Sequence, residues 1–179
     1  MRKVLYILGQ LSDEDVDWLA TAGQRRPVKA GEFLIRQGHP IDAMYILLDG
    51  QMAVSVDGIG EVARLSSGEI IGEMSLVDSR PPSASVAALV NSVVLSIGRE
   101  PLSRHLDADI GFSARFYRAI ATFLSDRLRS TVRRLGYGDG QGLDEDVEMD
   151  GELDEAVLDN VHLAGARFKR MLNRLHGGS

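Results

Sequence analysis

The apolar residues change their spacing twice along the chain. Ser12-Asp13-Glu14-Asp15 is followed by Val16, Leu19 and Ala20, the spacing of one helical face. Ser12 is placed to cap this helix. Asp15 stands at the capping-box position, and acids favour a first turn. Gly23 ends it. From about Arg25 to Ile97 the period is two: Met52, Val54 and Val56 oppose Ala53 and Ser55, and Val93, Leu95 and Ile97 oppose Ser92, Val94 and Ser96. Turn-forming clusters separate such runs at Ala30-Gly31-Glu32, Gln37-Gly38-His39-Pro40, Asp49-Gly50, Asp57-Gly58-Ile59-Gly60 and Ser66-Ser67-Gly68. Short, regularly spaced strands with Gly-rich turns predict an antiparallel barrel or jelly roll, mainly β with flanking helices.

After Gly98 the period becomes helical. Pro101 suits a first turn, and Gly111 is expected to separate a short helix from a long one over 112–135. Phe116, Ile120, Phe123, Leu124, Leu128, Val132 and Leu135 line one face of the long helix, which at ~1.5 Å per residue extends roughly 36 Å. Arg115, Arg118, Arg127, Arg129, Arg133 and Arg134 are read as its solvated flanks. Gly136-Tyr137-Gly138 stops it. The expected organisation is a domain over 1–135, an acidic Gly-rich linker over 136–151 and an amphipathic helix within 152–179. Val157, Val161, Ala164, Phe168, Met171 and Leu175 give that last helix, over 152–175, a coiled-coil-like seam. Its acids come first and Arg167, Lys169, Arg170 and Arg174 come last, as the helix dipole favours.

Composition narrows the partners. The net charge of −6 argues against a nucleic-acid partner, which needs concentrated Lys and Arg. With no cysteine, disulfides and thiolate metal sites are excluded. Met1 to Leu8 imitates the start of a signal peptide, but Gly9-Gln10 and Asp13-Glu14-Asp15 cut the apolar run short. No stretch approaches the ~20 apolar residues that span a bilayer, so a cytoplasmic protein without membrane contact is expected. His39, His105, His162 and His176 lack metal-ligand spacing and read as surface or packing residues. No serine sits in a nucleophile elbow, and the chain is read as a non-enzyme.

The most informative stretch runs from Ser67 to Val86, with Gly72-Glu73-Met74-Ser75 at its centre and Arg80-Pro81-Pro82-Ser83-Ala84-Ser85 towards its end. It resembles the phosphate-binding cassette of cyclic-nucleotide-binding β-roll domains, the family of the catabolite activator protein and the regulatory subunits of protein kinase A. Val28 to Gly38 resembles the family's second-strand motif, and Tyr45 to Val54 its central hairpin. Together the likeness covers roughly Leu11 to Leu135. It implies that Gly72 lets backbone approach the sugar of a cAMP-like ligand and that Glu73 accepts from the ribose 2′-hydroxyl. It also implies that backbone N–H groups at Met74, Ser75, Ser83 and Ala84 face the phosphate, with Val54 and Val62 in the pocket wall. In the catabolite activator relatives the long helix pairs with its twin and covers the base, so a homodimer is expected through 112–135, with Thr122, Ser125 or Thr131 near the base.

One position departs from the family pattern. Pro82 stands where the family places an arginine on the phosphate, and proline brings neither charge nor N–H. Arg80, two residues upstream on the same side of an extended segment, is the candidate replacement. Two functions follow from this reading. One is a stand-alone sensor or adaptor in which a cyclic nucleotide biases the long helix and the last helix, which docks on the chain's own roll, a second subunit or another protein. The other is a roll that has lost its ligand and serves as a dimerising interaction module. Without a helix-turn-helix, DNA is not an expected partner.

Overall fold

Two antiparallel sheets of four strands make the roll. β1 (Gln24–Val28), β8 (Ser92–Gly98), β3 (Ala43–Asp49) and β6 (Ile70–Ile71) lie in that order in the first. The second holds β2 (Phe33–Ile35), β7 (Ser85–Ala88), β4 (Gln51–Val56) and β5 (Gly60–Ser66). The structure is a computed structural model in which residues 4–78, 80–134 and 155–176 are described. Between the sheets, Val28, Tyr45, Leu47 and Val94 meet Leu34, Met52, Leu65 and Val86. The outer face of the first sheet carries Met44, Ile46, Leu95 and Ile97, which pack against helices.

That double cover corrects the period-two reading of 92–97. Val94 was expected opposite the core face, yet Val94, Leu95 and Ile97 are all fully buried, because each face of β8 meets a different layer. β3 is likewise buried at every position from Ala43 to Leu48. Such a strand shows no alternation, since neither side meets water. The turn at Asp49-Gly50 is also not a hairpin. β3 pairs with β8 and β6, whereas β4 pairs with β5 and β7, so the chain crosses between sheets there. Gly50 has φ 103°, and a Cβ on it would sit 2.1 Å from Ser92 Oγ. Only glycine fits that corner.

Among the described residues six helices flank the roll: α1 (Val4–Gln10), α2 (Asp13–Ala22), α3 (Met74–Asp78), α4 (Arg99–Ala108), α5 (Ile110–Arg134) and α6 (Glu155–His176). The expected capping box opens α2: Ser12 Oγ accepts from the Asp15 N–H at 3.2 Å, and Asp15 Oδ2 accepts from the Ser12 N–H at 2.6 Å. The break before α5 falls at Asp109 rather than Gly111, because Asp109 Oδ1 accepts from the Phe112 N–H at 2.8 Å and caps the helix. Phe112, Phe116, Ile120 and Phe123 bury the first half of the α5 stripe, each large side chain contributing about 1.5–3 kcal/mol. Leu128, further along, is 65% exposed. Leu135 and the linker 136–151 lie outside the described residues.

The start of the chain, read only as a short apolar run, forms α1, and its Ile7 and Leu8 join a cluster with Ala164 and Met171 of α6. The seam of α6 therefore packs on its own chain, although the side chains of Val157 and Val161 lie outside the described residues. Its arginines reach α2 instead of merely complementing a dipole. Arg167 Nε donates to Asp13 at 2.8 Å, and Arg167 also donates to the Leu8 and Gly9 carbonyls at 3.1 Å each. Arg170 and Arg174 both meet Asp17, at 2.8 and 2.6 Å. Asp15, the acid between them, takes Arg115 of α5 in a two-pronged contact at 2.6 and 2.8 Å.

Hydrogen bonds from Arg170 above all, and from Arg174, hold the Asp17 carboxyl at about 2. A depressed carboxyl stabilises the fold above its unfolded value and loses that contribution as the pH falls through the folded one. Asp17→Asn is expected to cost about 1 kcal/mol at neutral pH, lowering the unfolding temperature by about 2–4 °C. Thermal melts across pH should show the difference closing below ~4 as the pH nears 2.

Candidate functional site

The site grows from a tight corner after β6. Gly72 has φ 86°, a left-handed conformation that other residues resist. A Cβ there would lie 2.8 Å from Ile41 Cδ1 and 3.3 Å from the Ala43 carbonyl, too close to be accommodated without a shift. Glycine is needed for the corner itself. The corner turns Glu73 inward and starts α3. From Arg80 to Pro82 the chain is irregular and it bends at Ser83 and Ala84 before entering β7, braced at several points. Ser75 Oγ donates to the Arg80 carbonyl at 3.0 Å, and the Gly38 N–H donates to the Pro82 carbonyl at 2.9 Å. The Gln37 N–H donates to Ser85 Oγ at 2.9 Å.

These elements enclose a cavity of about 230 Å³, a little under the ~300 Å³ at which small-molecule sites begin. Its lining combines apolar Ile35, Val54, Leu65, Ile71 and Val86 with Gly72 to Ser75, Asp78 and Arg80 to Ala84. Of the residues singled out from the sequence, Gly72, Glu73, Met74, Ser75, Arg80, Ser83, Ala84 and Val54 all line it. Val62 does not. The β4–β5 ladder steps from Val54–Ala63 to Ser55–Glu61, so a bulge falls at Val62 and Leu65 supplies the wall. Arg80 stands at the mouth: its side chain is 83% exposed and lies 3.9 Å from Asp78. Thr122 and Thr131 donate to the carbonyls of Arg118 and Arg127 on their own helix, both at 2.9 Å, and the cavity lining includes neither.

The residue that the sequence reading missed is Arg127. It was placed among the solvated flanks of α5, but it lines the cavity and donates to Glu73 Oε1 at 2.6 Å. Its guanidinium also lies 5.0 Å from the Phe123 ring centroid, within cation–π range. The signal was available: Arg127 falls one helical turn after Phe123, on the buried stripe. Glu73 is 2% exposed. Burial pushes its carboxyl above the usual glutamate range, and the opposing Arg127 charge only partly corrects this. His105, by contrast, stacks on Trp18 at 3.9 Å and is a packing residue.

Comparison with known proteins puts this geometry in context. Residues 25–109 match the family described as the cyclic nucleotide-binding domain. The chain carries a domain of that family. A crystal structure of a cyclic nucleotide-binding domain from Methylobacillus flagellatus superposes with a TM-score of 0.67 at 26% identity, covering 79% of this chain and 85% of that one. An uncharacterized NTE family protein of Mycobacterium tuberculosis is 35% identical over 130 residues, 72% of this chain and 22% of the relative. A cAMP-dependent protein kinase regulatory subunit of Emericella nidulans is 37% identical over 78 residues, 43% of this chain and 19% of the relative. The chain thus spans about a fifth of the length of these two relatives. The Gly72 corner, the buried Glu73 and Pro82, which brings no cation, all fall within the matched residues.

The raised Glu73 carboxyl makes stability depend on pH. A carboxyl whose folded value lies above its unfolded one favours folding most at low pH, and that contribution is lost as the pH rises through the raised value. Glu73→Gln keeps an acceptor for Arg127 without the ionisable group. Denaturant titrations should show the wild type losing stability relative to the variant across the window from the usual glutamate value upward.

Proposed function

We propose that the cavity takes a cyclic nucleotide and that the domain acts as a regulatory, non-catalytic sensor whose ligand biases α5. One observation carries this reading: the buried Glu73 in the cassette is tied across the cavity to Arg127 of α5. Any ligand entering there meets the pair that joins the long helix to the roll. Ligand can shift α5 only by the difference in its affinity for the two helix positions. One charge-assisted hydrogen bond of ~1.5–3 kcal/mol is enough for a roughly 10–150-fold bias. The non-catalytic part of the proposal is supported by how the polar groups are engaged, with Glu73 held by Arg127 and Ser75 Oγ by the Arg80 carbonyl. Among the described residues no helix is long and apolar enough to cross a membrane, and a cytoplasmic location is part of the proposal.

A second reading, an interaction module with no ligand, is favoured by Pro82 and by the prior engagement of Glu73. Calorimetric titration with cAMP and cGMP separates the two. Saturable binding, with slower amide exchange over 121–134 in the bound state, is expected of a sensor. An absence of heat up to millimolar ligand would leave the module.

Pairing of two copies along the far half of α5 also belongs to the proposal, because the apolar stripe continues to the exposed Leu128 and Val132. Sedimentation velocity should give a dimer for the wild type and a monomer for Leu128→Glu. A wild-type monomer at tens of micromolar would remove this part.

A further inference from the structure

We propose that Arg127, carried on α5, is the countercharge for the anionic phosphodiester of the ligand, in place of the arginine that Pro82 displaces. This rests on the cyclic-nucleotide reading and adds the residue that recognises the anion. A cyclic phosphodiester carries one negative charge, and a charge taken into a largely apolar cavity needs a partner. The cassette offers none at position 82. Two cations line the cavity, Arg80 and Arg127.

Their surroundings differ. Arg80 is 83% exposed and lies 3.9 Å from Asp78, so a hydrogen bond from it competes with water and with a nearby carboxylate. Arg127 is 31% exposed, and its guanidinium is fixed by Glu73 Oε1 at 2.6 Å with the Phe123 ring centroid 5.0 Å away. Guanidinium has five N–H donors in a rigid fork. Among the described residues, Arg127 spends one on Glu73. No other hydrogen bond from its guanidinium is seen among the described residues, so further donors can meet phosphate oxygens while that bond persists. Glu73 then acts as the positioning residue, and the anion and the carboxylate share one guanidinium. Such an arrangement draws α5 towards an occupied cavity, so recognition of the charge and movement of the helix become the same event.

The test compares cAMP with adenosine, which keeps the base and sugar but lacks the anion. Removing Arg127 alone strands a buried carboxylate, so the Glu73→Gln background is used, and Glu73→Gln is set against Glu73→Gln/Arg127→Gln. Circular dichroism confirms the fold of both. The double variant is expected to bind cAMP roughly 10–150-fold more weakly than the single variant, with adenosine affinity unchanged within about twofold. Arg80→Ala in the wild-type background is expected to leave cAMP affinity within the same margin. Equal or tighter cAMP binding by the double variant overturns the inference while leaving the sensor reading intact. A large loss with Arg80→Ala and none with the double variant moves the countercharge to Arg80 and also overturns it. Wild-type protein that binds neither ligand at millimolar concentration overturns the sensor reading, and the inference with it.

Discussion

The sheet of β1, β8, β3 and β6 has apolar side chains on both faces, and each face must be kept from water. The second sheet covers one side and the helical layer covers the other. Because burial is worth about 25 cal/mol per Å² of apolar surface, neither cover is dispensable. This constraint involves α5: Phe112 and Phe116 of its first half are buried in the same cluster as Met44, Ile46, Leu95 and Ile97 of the sheet. The same helix brings Arg127 to the cassette. The candidate site is thus assembled by a packing requirement whose centre lies elsewhere.

The parts of the fold legible in the sequence were those with local causes. The capping box at Ser12 and Asp15 and the Gly-rich turns depend on neighbouring residues, and each is present as read. The parts that were not legible depend on residues far apart in the chain. Whether β3 and β4 form a hairpin is decided by pairing with β8 and β7, which no spacing near Gly50 reveals. The burial of Val94 follows from the second sheet, which packs on the face of β8 opposite Leu95 and Ile97 and which period-two reasoning does not include. The bulge at Val62 is set by its register with β4.

The same division holds at the site. Glu73 could be chosen from its own segment, and its burial fits that choice. Arg127 could not, because 54 residues separate it from its partner and its charge invited placement in water. A cation on the buried stripe of a helix is costly unless paired, and that conflict was the clue. Arg80 was selected on proximity in sequence to Pro82. The segment before β7 does bring both residues to the cavity, but it leaves the Arg80 side chain largely in water.

The three acids of α2 add a mechanical consequence. Asp13 and Asp17 hold α6, while Asp15 grips Arg115 near the start of α5. The long helix is therefore pinned at one end and touched by the cavity about 18 Å further along, at Arg127, taking ~1.5 Å per residue. Its described end at Arg134 lies roughly 28 Å from the pin by the same measure. A rigid rod so mounted works as a lever, and a swing of 1 Å at the cavity becomes about 1.6 Å at the tip.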